Sequence, residues 1–273
     1  MIEHTQRGRW GGRLTQRPLP DDPAIETLAP REREHIASVW LARAAMERRV
    51  ADSFVLIHGA LKRQHAQEDL VALAERSVDD EYRHAELSRL VASRFAGRDL
   101  PAPARLVLTP PAHEGASPEL RDTLHVVGQC VLNETTASAF LEVSLEHATG
   151  TLAKAALREL LTDEIEHGRM GWTHLAAVDD RTRAQVAPWL LPMAYLNLRV
   201  WRDQTPIDPR QSEALTANGS APAEVIHEAL VDALRTLIVP GLQALRIPTA
   251  PIERWLDAGA STDAPPVQFI RAQ

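Results

Sequence analysis

Asp80-Glu81-Tyr82-Arg83-His84 and Asp163-Glu164-Ile165-Glu166-His167 repeat one pattern, Asp-Glu-x-x-His, within a chain of 273 residues. In an α-helix, residues three apart share a face, so each Glu-x-x-His step offers a carboxylate and an imidazole to one point in space. The short form is weak evidence, because with 11 histidines about one match is expected by chance. The chain has four: Glu32 to His35, Glu81 to His84, Glu164 to His167 and Glu224 to His227. Only the second and third have the preceding Asp, and a pair of that longer form is expected in about one of several hundred sequences. The first and last read as helix-surface residues.

The sequence on either side of the two segments is helical in pattern. Proline-free runs predict one helix over 31–64, with Ala44, Met46, Glu47, Ala51, Phe54 and His58 close to one stripe, and a second over 68–95. Gly97, Pro101, Pro103, Pro110, Pro111, Gly115 and Pro118 then interrupt the pattern for far longer than adjacent antiparallel helices require. A third helix is expected over 119–149, closed by Gly150, and a fourth over 152–177. Helix pair, long crossover, helix pair is the ferritin-like arrangement of a four-helix bundle.

Further helices are expected over 183–203, 223–245 and 251–256, packed outside the bundle and burying Trp189, Trp201 and Trp255. No period-two alternation persists, so the fold class is all-α. The expected organisation is an N-terminal arm over 1–30, rich in Pro and Gly, a bundle over 31–178, and a C-terminal helical extension over 179–273.

Two more acids complete the pattern. Glu47 precedes Glu81 by 34 residues and Glu134 precedes Glu164 by 30, and either interval fits half a helix, a turn and half a helix back. Ala44, Met46, Val50 and Ala51 flank Glu47, and Val131, Leu132 and Ala137 flank Glu134. Apolar surroundings make each an unpaired buried charge unless a metal or a proton neutralises it. Four carboxylates match two divalent cations in charge. One Glu on each of two helices, with Glu-x-x-His on the other two, is the ligand set of two-metal carboxylate bundles.

Over residues 31–178 the chain resembles the ferritin-like di-iron oxygenases, which include p-aminobenzoate N-oxygenases and the hydroxylase subunits of bacterial multicomponent monooxygenases. The resemblance rests on Glu47 with Asp80-Glu-Tyr-Arg-His84 and on Glu134 with Asp163-Glu-Ile-Glu-His167. It implies that Glu47 and His84 hold one iron, that Glu134 and His167 hold the other, and that Glu81 and Glu164 bridge them. Manganese with iron is an alternative pair. Asp80 and Asp163 would accept hydrogen bonds from the histidines of the opposite half, and Arg83 would brace an Asp. Glu166 stands where the motif has arginine, and Leu160 stands where N-oxygenases have a further histidine.

Ser138, four after Glu134, matches a hydroxyl residue of the monooxygenase oxygen pocket and is the candidate catalytic residue. Cys130, His58 and His174 fall on stripes that face the site, with core packing as the simpler reading. Tyr82 points away. Position 88 is Ser, so a radical-storing tyrosine one turn after His84 is missing.

Composition narrows the remaining options. A formal charge of −7 disfavours a nucleic-acid partner, and no run approaches the length of a membrane span. The N-terminus has no apolar signal region and the single cysteine permits no internal disulfide, which suits a cytoplasmic setting. The sequence leaves a homodimer open. The expected activity is O2-dependent oxidation of a small organic substrate, with electrons from an external donor, since no nucleotide motif or cysteine cluster is present. The alternatives are a metal-handling ferroxidase or peroxide scavenger, and a helical interaction module that keeps the acids and histidines as a remnant.

Overall fold

Proline opens the first helix and glycine closes the second. The computed structural model describes Thr15 and residues 18–204 and 213–270, and among these every regular element is helical. Helix α1 (Pro30–Arg63) begins with proline in its first turn, where an amide is not needed. The Glu32 carboxylate accepts from the Ala29 amide at 3.2 Å, and Lys62 and Arg63 sit at the negative end of the helix dipole. A short turn, with His65 at φ 51°, reverses the chain into α2 (Glu68–Ala96), which ends on Gly97 at φ 67°, a left-handed conformation glycine adopts freely. Ala44, Ala51, Ala74, Ser77, Ala85 and Ser88 are buried, and their small side chains let α1 and α2 pack closely.

The crossover then runs over α1 without regular structure. Asp52 holds it through Arg105 at 2.5 and 3.0 Å, and Arg48 donates to the Pro103 carbonyl at 3.3 Å. The third bundle helix is composite: α3 (Pro118–Val126), a π-helical segment (Val127–Asn133) and α4 (Glu134–His147). Uniform α-helix was expected there; the π segment takes in an extra residue without breaking the helix. Gly150 does not close it. Ala148 is the capping residue of α4, and Gly150 precedes α5 (Thr151–Ala177) at φ −61°, where any residue fits by backbone. Space is the constraint instead, since a Cβ on Gly150 would lie 2.3 Å from Asn218 Oδ1.

Beyond the bundle come α6 (Asp180–Gln204), α7 (Glu213–Ala217), α8 (Ala223–Ala233), a second π segment (Leu234–Ile238), α9 (Val239–Ala244), α10 (Ala250–Asp257) and α11 (Val267–Ile270). The short α7 and α11 were not anticipated, and α6 runs through Pro188 and Pro192. Polar contacts dock α6 on α4: Thr136 Oγ1 donates to Asn197 Oδ1 at 3.1 Å, and Trp201 Nε1 donates to Thr136 Oγ1 at 3.1 Å. Of the three tryptophans expected to be buried, only Trp255 is. Trp201 is half-buried with its ring 5.0 Å from that of Phe140, and Trp189 meets His113 of the crossover edge-on at 5.2 Å.

The larger apolar core runs from Ile25 and Ile36 through Leu157 to Trp255, and a smaller one gathers Phe54, Ile57, Leu61, Val126 and Met170. The expected arm survives here only as Thr15 and residues 18–30; its other residues, with Pro206 and Pro209 of the predicted polar link, lie outside the described part. Asp22 of that arm accepts from the Leu152 amide at 3.1 Å and so caps α5. No helix among the described residues is long and apolar enough to cross a membrane.

Candidate metal centre

Four helices each contribute to one buried point. Glu47 comes from α1, Glu81 and His84 from α2, Glu134 from the first turn of α4, and Glu164 and His167 from α5. They form two overlapping groups, Glu47, Glu81, His84 and Glu164, and Glu81, Glu134, Glu164 and His167, in each of which one donor atom per residue lies within 4.8 Å of the others. Glu81 and Glu164 are shared. All but Glu47 are at most 3% exposed.

The imidazoles are oriented alike. His84 Nδ1 lies 3.4 Å from Glu164 Oε1 and 3.6 Å from Glu81 Oε2, and His167 Nδ1 lies 3.0 Å from Glu81 Oε1 and 3.1 Å from Glu164 Oε2. The Nε2 atoms face outward, that of His84 at 3.0 Å from Asp163 Oδ2 and that of His167 at 3.7 Å from Asp80 Oδ2. Each histidine thus meets the aspartate of the opposite half. Arg83 Nη2 joins the two aspartates, bonding Asp80 Oδ1 at 3.0 Å and Asp163 Oδ2 as well.

Such a concentration of acids in a dry interior is costly. Burial, then the charges of Glu81 and Glu164, raise Glu47 well above the usual carboxylate range, and burial with Glu164 and Glu81 does the same to Glu134. Burial pulls both histidines down, but their carboxylate neighbours prevail and hold His84 and His167 well above the usual imidazole range. Burial likewise opposes ionisation of Glu164, and His167 and His84 overcome it, leaving Glu164 lowered.

The donor set fits a pair of divalent cations. Both Glu81 oxygens and His84 Nδ1 are buried with no hydrogen bond; the 3.0 Å approach of His167 Nδ1 to Glu81 Oε1 lacks hydrogen-bonding geometry. Unsatisfied buried carboxylate oxygens facing imidazole nitrogens are what a metal ion satisfies, and oxygen with imidazole donors suits first-row metals.

The π segment shapes the second half of the site. Its i to i+5 bonding brings residues five apart into register, and Gln129 Nε2 donates to Glu134 Oε1 at 2.6 Å. Gln129 Oε1 accepts from Ser53 Oγ at 2.9 Å, which lies 3.1 Å from His125 Nε2. Cys130 packs against α5, where a Cβ on Gly171 would come 2.6 Å from the Cys130 Cβ. Burial, then Glu134, pushes its thiol up, so it stays protonated and serves as core.

Other expected residues stand apart. Ser138 donates to the Glu134 carbonyl at 2.9 Å and is absent from the cavity wall described below, so its position offers no support for catalysis. His174 is buried and His58 half-buried, and neither joins the two groups. Tyr82 is also outside them. Leu160 is core. Glu166 pairs with Arg169 at 2.5 Å on the surface.

A cavity of about 810 Å³ reaches Glu47, Glu134 and Glu164. Its walls come from α1 (Ala42, Met46), the crossover (Leu108, Pro110), α4 (Ala137, Phe140) and α6 (Met193, Trp201). Ser53, His125, Gln129 and Arg43 were not singled out from sequence. Arg43 precedes Glu47 by one turn and could have been found by that spacing, whereas the link from Gln129 to Glu134 depends on the π geometry.

Fold and site together define an all-α bundle with a buried carboxylate and histidine cluster that could hold metal. No family model, curated protein or solved structure matches the chain.

Proposed function

We propose that the protein is a non-haem di-iron oxidoreductase, an oxygenase or oxidase that uses O2 on a small organic substrate. The observation that carries this reading is the cavity of about 810 Å³ opening onto Glu47, Glu134 and Glu164. A centre that handled iron alone has no need of a space of that size lined mainly by apolar side chains.

In this reading Glu47 and His84 would hold one ion and Glu134 and His167 the other, with Glu81 and Glu164 available to both, and with Mn/Fe as the alternative to Fe/Fe. The ions, once bound and reduced, supply the activation of O2. Oxygenation places one oxygen atom in the substrate and the other in water, consuming two electrons and two protons from an external donor. Asp80 and Asp163 fix the imidazole rings so that Nδ1 stays turned to the acids. Arg83 helps to keep both aspartates ionised: burial opposes their charge, His167 and Arg83 lower Asp80, and His84 and Arg83 lower Asp163. Gln129 holds Glu134 on one oxygen. The apolar wall excludes water from the reacting face.

The test is metal analysis of protein from iron-replete cells, followed by O2 uptake with a chemical reductant and candidate substrates. Two ions per chain and O2 uptake that rises with an organic substrate are expected. Uptake proportional only to added iron, with ferric oxide accumulating, replaces this reading with ferroxidase chemistry, and the absence of metal removes both.

A further inference from the structure

Arg43 lies on α1 one turn before Glu47, roughly 6 Å away along the helix axis. Arg43 is half-buried as a residue and lines the cavity. Cζ lies 4.2 Å from the centroid of the Trp40 ring and 5.2 Å from that of Phe140. Nη2 donates to the Gly219 carbonyl at 2.9 Å. Nη1 is buried and has no hydrogen-bond partner among the described residues. Burial lowers Arg43 to about 10, against the pull of Glu47, so it remains a cation at neutral pH. A buried cation with an open donor is costly, and two ring faces compensate only in part.

Charge on the cavity wall sharpens the point. Its acids are Glu47, Glu134 and Glu164, all of them proposed metal ligands. Burial holds His113 and His125 below the usual imidazole range. With the three acids committed to metal, the permanent charges left are those of Arg43 and Arg49, with His35, His113 and His125 as the wall's other titratable groups. Much of the remaining lining is apolar, and Leu106, Leu196 and Val200 on it are 38%, 44% and 41% exposed, which makes a greasy rim.

We infer that the cavity takes an organic acid, whose carboxylate is bound by Arg43 Nη1 and whose apolar body lies beside Glu47, Glu134 and Glu164. A single open donor group suits a planar monoanion, since a phosphate dianion calls for more donors than Arg43 offers. The inference rests on the metal-centre reading, because ligation removes Glu47 as a counter-charge.

Isothermal titration of the metal-loaded protein with octanoate, octanamide and octylamine tests it. Octanoate is expected to bind about ten- to a hundredfold more tightly than octanamide, the range of one charge-assisted hydrogen bond, and octylamine most weakly. Arg43→Met abolishes the preference for acid over amide and leaves octanamide affinity within about threefold, and Arg43→Lys keeps part of the preference. Equal binding of acid and amide by the wild-type protein, no octanoate binding, or a preference that survives Arg43→Met overturns the inference. The wild-type comparison needs no variant, so it stands even if Arg43→Met does not fold. Metal content measured on the same sample separates the two readings: two ions without acid preference sinks only this one, and no metal sinks both.

Discussion

The two halves of the centre carry the same candidate ligands and different supports. On α2, Asp80 is followed by Arg83; on α5, Asp163 is followed at the same step by Glu166. A symmetric site would have two cations, each bracing one aspartate. This one has Arg83 reaching both, while Glu166 turns outward to Arg169. The partners of the terminal acids differ too. Glu134 accepts a hydrogen bond from Gln129, whereas Glu47 has the charge of Arg43 nearby. Ligand identity is therefore duplicated, and what holds the ligands is not.

The largest test of that contrast removes a shared ligand. Glu164→Ala is expected to empty both positions, whereas Glu134→Ala or Glu47→Ala lowers the metal count from two to one, as read by elemental analysis. Equal losses from all three would mean that Glu164 is not shared. Next, Arg83→Ala frees both aspartates at once, and metal affinity should fall about 10- to 100-fold at both positions, measured by competition with a chelator. A loss confined to one position would show that each half has its own brace.

Gln129→Leu is expected to weaken only the position of Glu134 and His167, by about tenfold. Biphasic metal release should appear where the wild type releases in one phase.

A pH series on the metal-free protein compares the halves as proton stores. The raised groups, Glu47, Glu134, His84 and His167, contribute full stability below their unfolded values, 4.5 for the acids and 6.5 for the histidines. That contribution is lost as pH rises through their folded values. The melting temperature of metal-free protein should therefore fall as pH rises above about 4.5. Metal-loaded protein should not follow it, because ligation removes those protons. The smallest effect expected is that of Glu166→Ala, whose exposed pair with Arg169 is worth under about 1 kcal/mol. A large loss of metal in that variant would restore the symmetric picture.

Much of this was legible because α-helical spacing is strict. Glu81 with His84 and Glu164 with His167 read directly as shared faces, and the proline-rich crossover marked the change of helix pair. Gln129 was hidden because nothing in Val127–Asn133 announces a π segment, and at α spacing a residue five before Glu134 points elsewhere. Gly150 was misread because a helix-ending glycine and one that makes room for Asn218 look the same in one dimension. Arg43 and Trp201 acquire their meaning only from the cavity, which α1, α4, α6 and the crossover enclose together, and no local pattern encodes it.

The crossover is the longest non-helical stretch of that enclosure. Val107 within it is 86% exposed, and exposed irregular backbone is where proteases cut. A nick there would divide the polypeptide without cutting a ligand-bearing helix, since Glu47, Glu81 and His84 lie before it and Glu134, Glu164 and His167 after it. The two fragments would stay associated through the shared core. Separately expressed pieces, each carrying three of the six candidate ligands, are expected to reassemble, which would allow one half to be labelled at a time.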